Sequence, residues 1–143
     1  MVGAMEPMAR NVTTVRRWVD AGNRRDLDVF DELFTVDTVD HVGGKSGVLW
    51  WKQIYERINA SFPDWRWSSV AIVADHDAAM VRATMIGSHH GSELPFLQGI
   101  EPTGRPISWT HHHSFRMVGG QIAEHWANRD DLGVLRQLRA GAE

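Results

Sequence analysis

The stretch ISWTHHHSFRMVGGQIAEHWAN, Ile107 to Asn128, decides the fold of this chain. Read as an extended strand, it places Ile107, Trp109, His111, His113, Phe115 and Met117 on one face and Ser108, Thr110, His112, Ser114 and Arg116 on the other. Gly119-Gly120 supplies the left-handed dihedrals that a two-residue hairpin turn demands. The spacing therefore predicts a strand over Arg105 to Met117 and an antiparallel partner over Gln121 to Asn128. In that partner, Ile122, Glu124, Trp126 and Asn128 alternate with Ala123, His125, Ala127 and Arg129.

Working outward, the same period of two covers Trp65 to Val73 and Ala79 to His89, joined by a hairpin turn at Asp75, His76 and Asp77; Gly99 to Gly104 reads as a loop. Before Pro63 the period is 3.6. Asn11 is a candidate cap for a first helix whose apolar set is Val12, Val15, Trp18 and Val19, stopped by Gly22-Asn23. Asp26 is a candidate cap for a short second helix with Leu27, Phe30, Leu33 and Phe34 as its stripe. Thr35 to Gly44 reads as an extended piece and a turn, placing Asp40 and His41 near the end of a rigid element. A third helix is predicted over Ser46 to Ala60, with Val48, Trp51, Tyr55 and Ile58 on one face, and Pro63 ends it. A closing helix spans Asp131 to Leu138, with Asp130 or Asp131 near its start. Helices followed by a curved antiparallel sheet make an α+β arrangement.

A chain of 143 residues suits one domain, predicted here over residues 10–143 after a loose start at 1–9. A hydrophobic content of 43 % against 23 % charged residues is that of a folded globular protein. The net charge of −3, with no basic run, argues against a nucleic-acid partner, and no apolar run is long enough to predict a membrane span. With no cysteine there is no disulfide, thiolate nucleophile or Cys-based zinc site, which suits a reducing cytoplasm. Neither a glycine-rich phosphate loop nor a Gly-x-Ser-x-Gly elbow is present.

Because alternation splits the histidine run, its three imidazoles cannot share one metal ion. His111 and His113 could share one, but a third ligand would have to come from His41, Asp40, His125 or His89. No metal and no cofactor is expected. An imidazole set among Trp109, Phe115 and Met117 instead loses its proton readily through desolvation, and so can serve as a neutral base.

Five phrases, SFPDWRW, RATMIGSHHG, FLQGIEPTGR, HSFRM and GGQIAEHWANRDDLGVLRQL, together resemble the SnoaL-like polyketide cyclase family of the nuclear transport factor 2-like superfamily. The resemblance implies a cone: three N-terminal helices packed on a strongly curved mixed sheet, enclosing a ligand cavity, in a homodimer or tetramer. It also implies a role in secondary metabolism, namely ring closure of a polyketide by aldol condensation or a related hydroxylation. Position by position, the family's histidine falls on His113 and a polar residue falls near Asp40. The aspartate expected on the last strand falls on Ala127, which cannot transfer a proton.

The expectation is thus a cofactor-independent acid/base enzyme with catalytic candidates His113, Asp40, His41 and His111. His113 would take a proton next to a carbonyl, and Asp40 or His41 would hydrogen-bond the oxygen. Trp51, Tyr55, Phe96, Leu97, Trp109, Phe115 and His125 would hold the substrate. The alternatives are a non-catalytic binder with the same cavity, and an imidazole-assisted hydrolase or hydratase.

Overall fold

The computed structural model describes residues 6–140. Helix α1, Pro7–Arg24, starts at a proline, whose missing N–H costs nothing in a first turn. It therefore begins before the expected cap. Asn11 lies inside the helix, buried, and its side-chain amide donates to the carbonyls of Asp75 and His76 at 2.9 and 3.1 Å, tying α1 to the far hairpin turn. Of the start predicted to be loose, residues 1–5 lie outside the described residues.

Asp26 makes no side-chain cap, and a 3₁₀ turn at Leu27–Val29 runs into the one-turn helix α2, Phe30–Leu33. Strand β1, Phe34–Asp40, follows at once. The two-residue strand β2, Lys45–Ser46, folds back on Val39 and Asp40, so helix α3, Val48–Ser61, starts later than its periodicity suggests. Strands β3 (Arg66–Ala74), β4 (Ala78–Ser88), β5 (Pro106–Val118) and β6 (Gln121–Arg129) form an antiparallel meander. Gly119 and Gly120, at φ 58° and 79°, make the tight turn between the last two. Helix α4, Asp131–Arg139, is capped by Asp130, whose carboxylate accepts from the Gly133 N–H at 2.9 Å.

The six strands lie in the order β2-β1-β6-β5-β4-β3. One pairing is parallel: β1 runs alongside β6, with Asp40 opposite His125. Inner-face residues of the meander, among them Val81, Met85, Trp109, Phe115 and Ile122, join Val15 and Trp18 of α1 and Trp51 and Tyr55 of α3 in a single core. The α+β class and mixed sheet hold, and the topology is nuclear transport factor 2-like. The cone does not. The strands form one open row whose ends, β2 and β3, do not pair, so the sheet is neither closed nor strongly curved. The β4–β5 pairing keeps one unbroken register from Ala78–Arg116 to Ser88–Pro106, and the register breaks in the β1–β6, β3–β4 and β5–β6 pairings do not bring the two ends of the row together. The closing helix expected over Asp131 to Leu138 is present as α4, which packs beside β5, where Gln137 brackets the backbone N–H and C=O of Ser108.

No described helix is long and apolar enough to cross a membrane. The connection from β4 to β5 folds over the inner face, a 3₁₀ turn at Pro95–Leu97 marking its apex.

Candidate functional site

A cavity of about 350 Å³ lies between the inner face of the sheet, α1, α3 and the β4–β5 connection. Its size falls at the small end of small-molecule sites. Indoles of Trp18, Trp50, Trp51, Trp67 and Trp109 dominate its wall, and the polar lining consists of Asp40, Tyr55, Arg57, His111, His113, His125, Arg129 and Asp131.

Four of these groups form one hydrogen-bonded chain. Asp40 Oδ1 meets His125 Nδ1 at 2.9 Å, His125 Nε2 meets His113 Nδ1 at 2.7 Å, and His113 Nε2 meets His111 Nδ1 at 3.1 Å. The fold dictates this order. The parallel pairing sets Asp40 opposite His125, while antiparallel pairing sets His113 opposite Ala127 and His111 opposite Arg129. His113 thus reaches His125 diagonally, and the methyl group of Ala127 offers no competing polar atom. All four members are buried.

The direction of the chain follows from its charged end. Asp40 also accepts from Trp50 Nε1 at 2.8 Å and from the Val42 N–H at 3.0 Å. Burial by itself pushes its carboxyl upward, but the hydrogen bonds from His125 and Trp50, with the His125 charge and the Val42 amide, hold it below the usual carboxylate range. An ionised carboxylate only accepts, so His125 carries its proton on Nδ1; its Nε2 accepts from His113 Nδ1, and His113 Nε2 accepts from His111 Nδ1. The last lone pair, on His111 Nε2, is buried with no partner. Burial pushes all three imidazoles below their ordinary range, His111 and His113 strongly so. The neighbouring charges of Arg129 and His125 add to this at His111, those of His125, His111 and Arg129 add at His113, and Asp40 opposes it at His125.

These positions revise several assignments. Both nitrogens of His113 are engaged within the chain, so the imidazole with a free lone pair is that of His111. His41 lies off the cavity, stacked on Trp126 at 4.7 Å and bonded to Glu124 at 3.0 Å. Asp40, saturated by donors, has no proton to offer a substrate oxygen. Trp51, Tyr55, Phe96, Trp109 and His125 stand on the cavity wall, whereas Leu97 and Phe115 are packed into the core behind it. Among the described residues, no three His, Asp or Glu groups are arranged to hold a metal ion.

Three charged lining groups, Arg57, Arg129 and Asp131, escaped the sequence reading. Arg129 shares the inward parity of His125 and Ala127, and that parity was the signal; its guanidinium lies 5.5 Å from the Trp109 ring. Asp131 follows the strand end. It accepts from Trp109 Nε1 at 3.0 Å, and burial raises its carboxyl above the usual range against the opposing Arg129 charge and that hydrogen bond.

The sequence profile of the SnoaL-like polyketide cyclases matches residues 12–138. The chain belongs to this family. Among solved structures of similar fold, IdmH of Streptomyces antibioticus, a proposed polyketide cyclase, is 29 % identical at a TM-score of 0.76, over 90 % of this chain and 97 % of that one. AclR of Streptomyces galilaeus, a proposed hydroxylase, is 26 % identical at 0.79, over 95 % and 85 %. TsrD of Streptomyces laurentii, 24 % identical at 0.81 over 94 % and 97 %, shows the shared fold. Among curated proteins, none matches this sequence. Within the family frame the site combines an aromatic-walled cavity with a carboxylate delivered from β1, while position 127 on β6 carries a methyl group.

Proposed function

We propose that the protein is a cofactor-independent acid/base enzyme acting on a hydrophobic, ketide-like small molecule, with His111 as the proton-accepting group. The observation that carries this reading is the chain Asp40–His125–His113–His111, which ends in a bare, buried lone pair on the cavity wall. When His111 Nε2 takes a proton from a carbon next to a carbonyl, leaving the enolate, Nδ1 can release its own to His113 and His113 to His125. The positive charge then settles on His125, where the hydrogen bond and charge of the ionised Asp40 favour it. His113, His125 and Asp40 act as positioning residues. Nε2 has almost no exposed surface, and the rings of Trp109 and Trp67 lie 4.2 and 5.0 Å from that of His111, so a guest has to displace a ring edge to reach it.

Ring closure by aldol condensation begins with such a proton abstraction, and family membership supports that outcome. The absence of cysteine supports a cytoplasmic setting, and an exposed apolar stripe on the outer face of the sheet supports a homodimer.

The test is α-hydrogen exchange of 2-tetralone in D₂O, followed by proton NMR. The protein should accelerate exchange, H111Q should lower the acceleration by about 10²–10⁴-fold, and H113Q should lower it too while tetralone still binds. Binding without exchange in the unaltered protein would select the non-catalytic binder.

A further inference from the structure

The cavity wall is short of electron-rich groups. Arg129 points inward from β6 directly opposite His111, and among the described residues its guanidinium makes no ion pair and donates no hydrogen bond. The carboxyl beside it, Asp131, is engaged by Trp109 and raised by burial. The other lining carboxylate, Asp40, is saturated by His125, Trp50 and Val42. A second lining guanidinium, that of the solvent-exposed Arg57, rests over Trp50 at 5.7 Å at the edge of the cavity. Three lining indoles, Trp18, Trp51 and Trp67, have buried N–H groups with no acceptor.

Buried donors left unmatched are rare in folded proteins, because each forfeits hydration without recompense. Arg129 is half-buried, with the Trp109 ring and the Asp131 carboxyl near it and no hydrogen bond of its own among the described residues, so its fork is open to a guest. Among the described lining residues, the unmatched indole hydrogens lack an acceptor and the unmatched His111 Nε2 lacks a hydrogen.

Building on the acid/base reading above, we propose that the guest is an anionic, oxygen-rich ring compound, a planar carboxylate or acidic enol, whose oxyanion takes Arg129 while its acidic C–H or O–H faces His111. The register makes the two contacts compatible: His111 and Arg129 are directly opposed, with Cβ atoms about 5 Å apart, and both line the cavity, so one ring compound can touch both. A planar guanidinium fork matches such an anion with two parallel hydrogen bonds, so Arg129 is a specificity-determining residue.

Isothermal titration of the full chain with 2-naphthoate and with 2-naphthamide, a neutral partner of the same shape, tests this. The protein should bind the naphthoate at least tenfold more tightly. R129M should erase that preference while still binding the amide. R129K, which keeps the charge and loses the fork, should retain only part of it, and this arm serves if R129M fails to fold. Equal affinity for the two compounds, or a preference that survives R129M, overturns the proposal and leaves the acid/base reading standing wherever tetralone exchange is still seen. Failure of the unaltered protein to bind either compound likewise overturns the proposal, and the acid/base reading is again decided by tetralone exchange.

Discussion

His111 can act as a base only if the chain behind it keeps one polarity, and that polarity depends on a single negative charge at Asp40. Substituting Asp40→Asn keeps the shape and removes the charge, and the amide can donate or accept toward His125 Nδ1. We therefore expect nitrogen-15 NMR of the native protein to show His111, His113 and His125 all protonated on Nδ1, and D40N to show mixed tautomers; identical spectra would refute the relay. The same burial makes stability depend on pH. Each imidazole is depressed in the folded state, so the unfolded chain binds more protons once the pH falls below about 6.5. Stability is full above that value and falls below it, by up to about 1.4 kcal/mol per pH unit for each histidine still neutral in the fold. Urea melts between neutral pH and pH 5 check this, and H113F should flatten the slope. Tetralone exchange should likewise hold its rate down through the ordinary imidazole range and fall only below it. The inward placing of His111, His113 and His125 was legible from alternation alone. What alternation cannot show is which nitrogen meets which, because that depends on diagonal contacts between strands.

At the scale of elements, the β4–β5 connection forms one wall of the site, since Leu94, Pro95 and Phe96 line the cavity. A fully buried histidine pins it. His89 Nδ1 accepts from the Thr103 N–H at 3.1 Å and its Nε2 lies 3.0 Å from Ser92 Oγ, which in turn donates to the Ile100 carbonyl. H89F retains the volume and orphans these partners. We expect it to lose about 2–4 kcal/mol in denaturant melts, with faster amide exchange at Thr103 and Ile100. Gly91 fixes the near end of the connection: a Cβ there would stand 2.4 Å from the Ala60 carbonyl oxygen, so Gly91→Ala should cost about 1–3 kcal/mol through the shift it forces. The hairpin turns at Asp75–Asp77 and Gly119-Gly120 were readable because turn chemistry is local. The two-residue β2 was not, being too short to show alternation, nor was the parallel β1–β6 pairing, since no local pattern in Thr35 to Asp40 names a partner about eighty residues away.

Across the whole molecule, the outer face of the sheet carries an apolar stripe in register: Val73 opposes Met80, Met80 opposes Ser114 and Ser114 opposes Trp126, with Val73, Met80 and Trp126 all exposed. A stripe crossing four strands suits burial against a second copy about a twofold axis. We expect sedimentation to give a dimer and M80E to give a monomer with tautomer spectra unchanged; a monomeric native protein would refute the pairing. The inner face is organised by the parallel pair, and that pair has a temporal consequence. Asp40 is made 85 residues before His125, so the carboxylate waits for its partner until that whole span has been synthesised. A nascent chain halted after the glycine turn can form the β3–β5 meander but has no last strand to bridge Asp40 to His113. Catalytic competence should therefore arrive in one late step, with no graded onset as the protein lengthens.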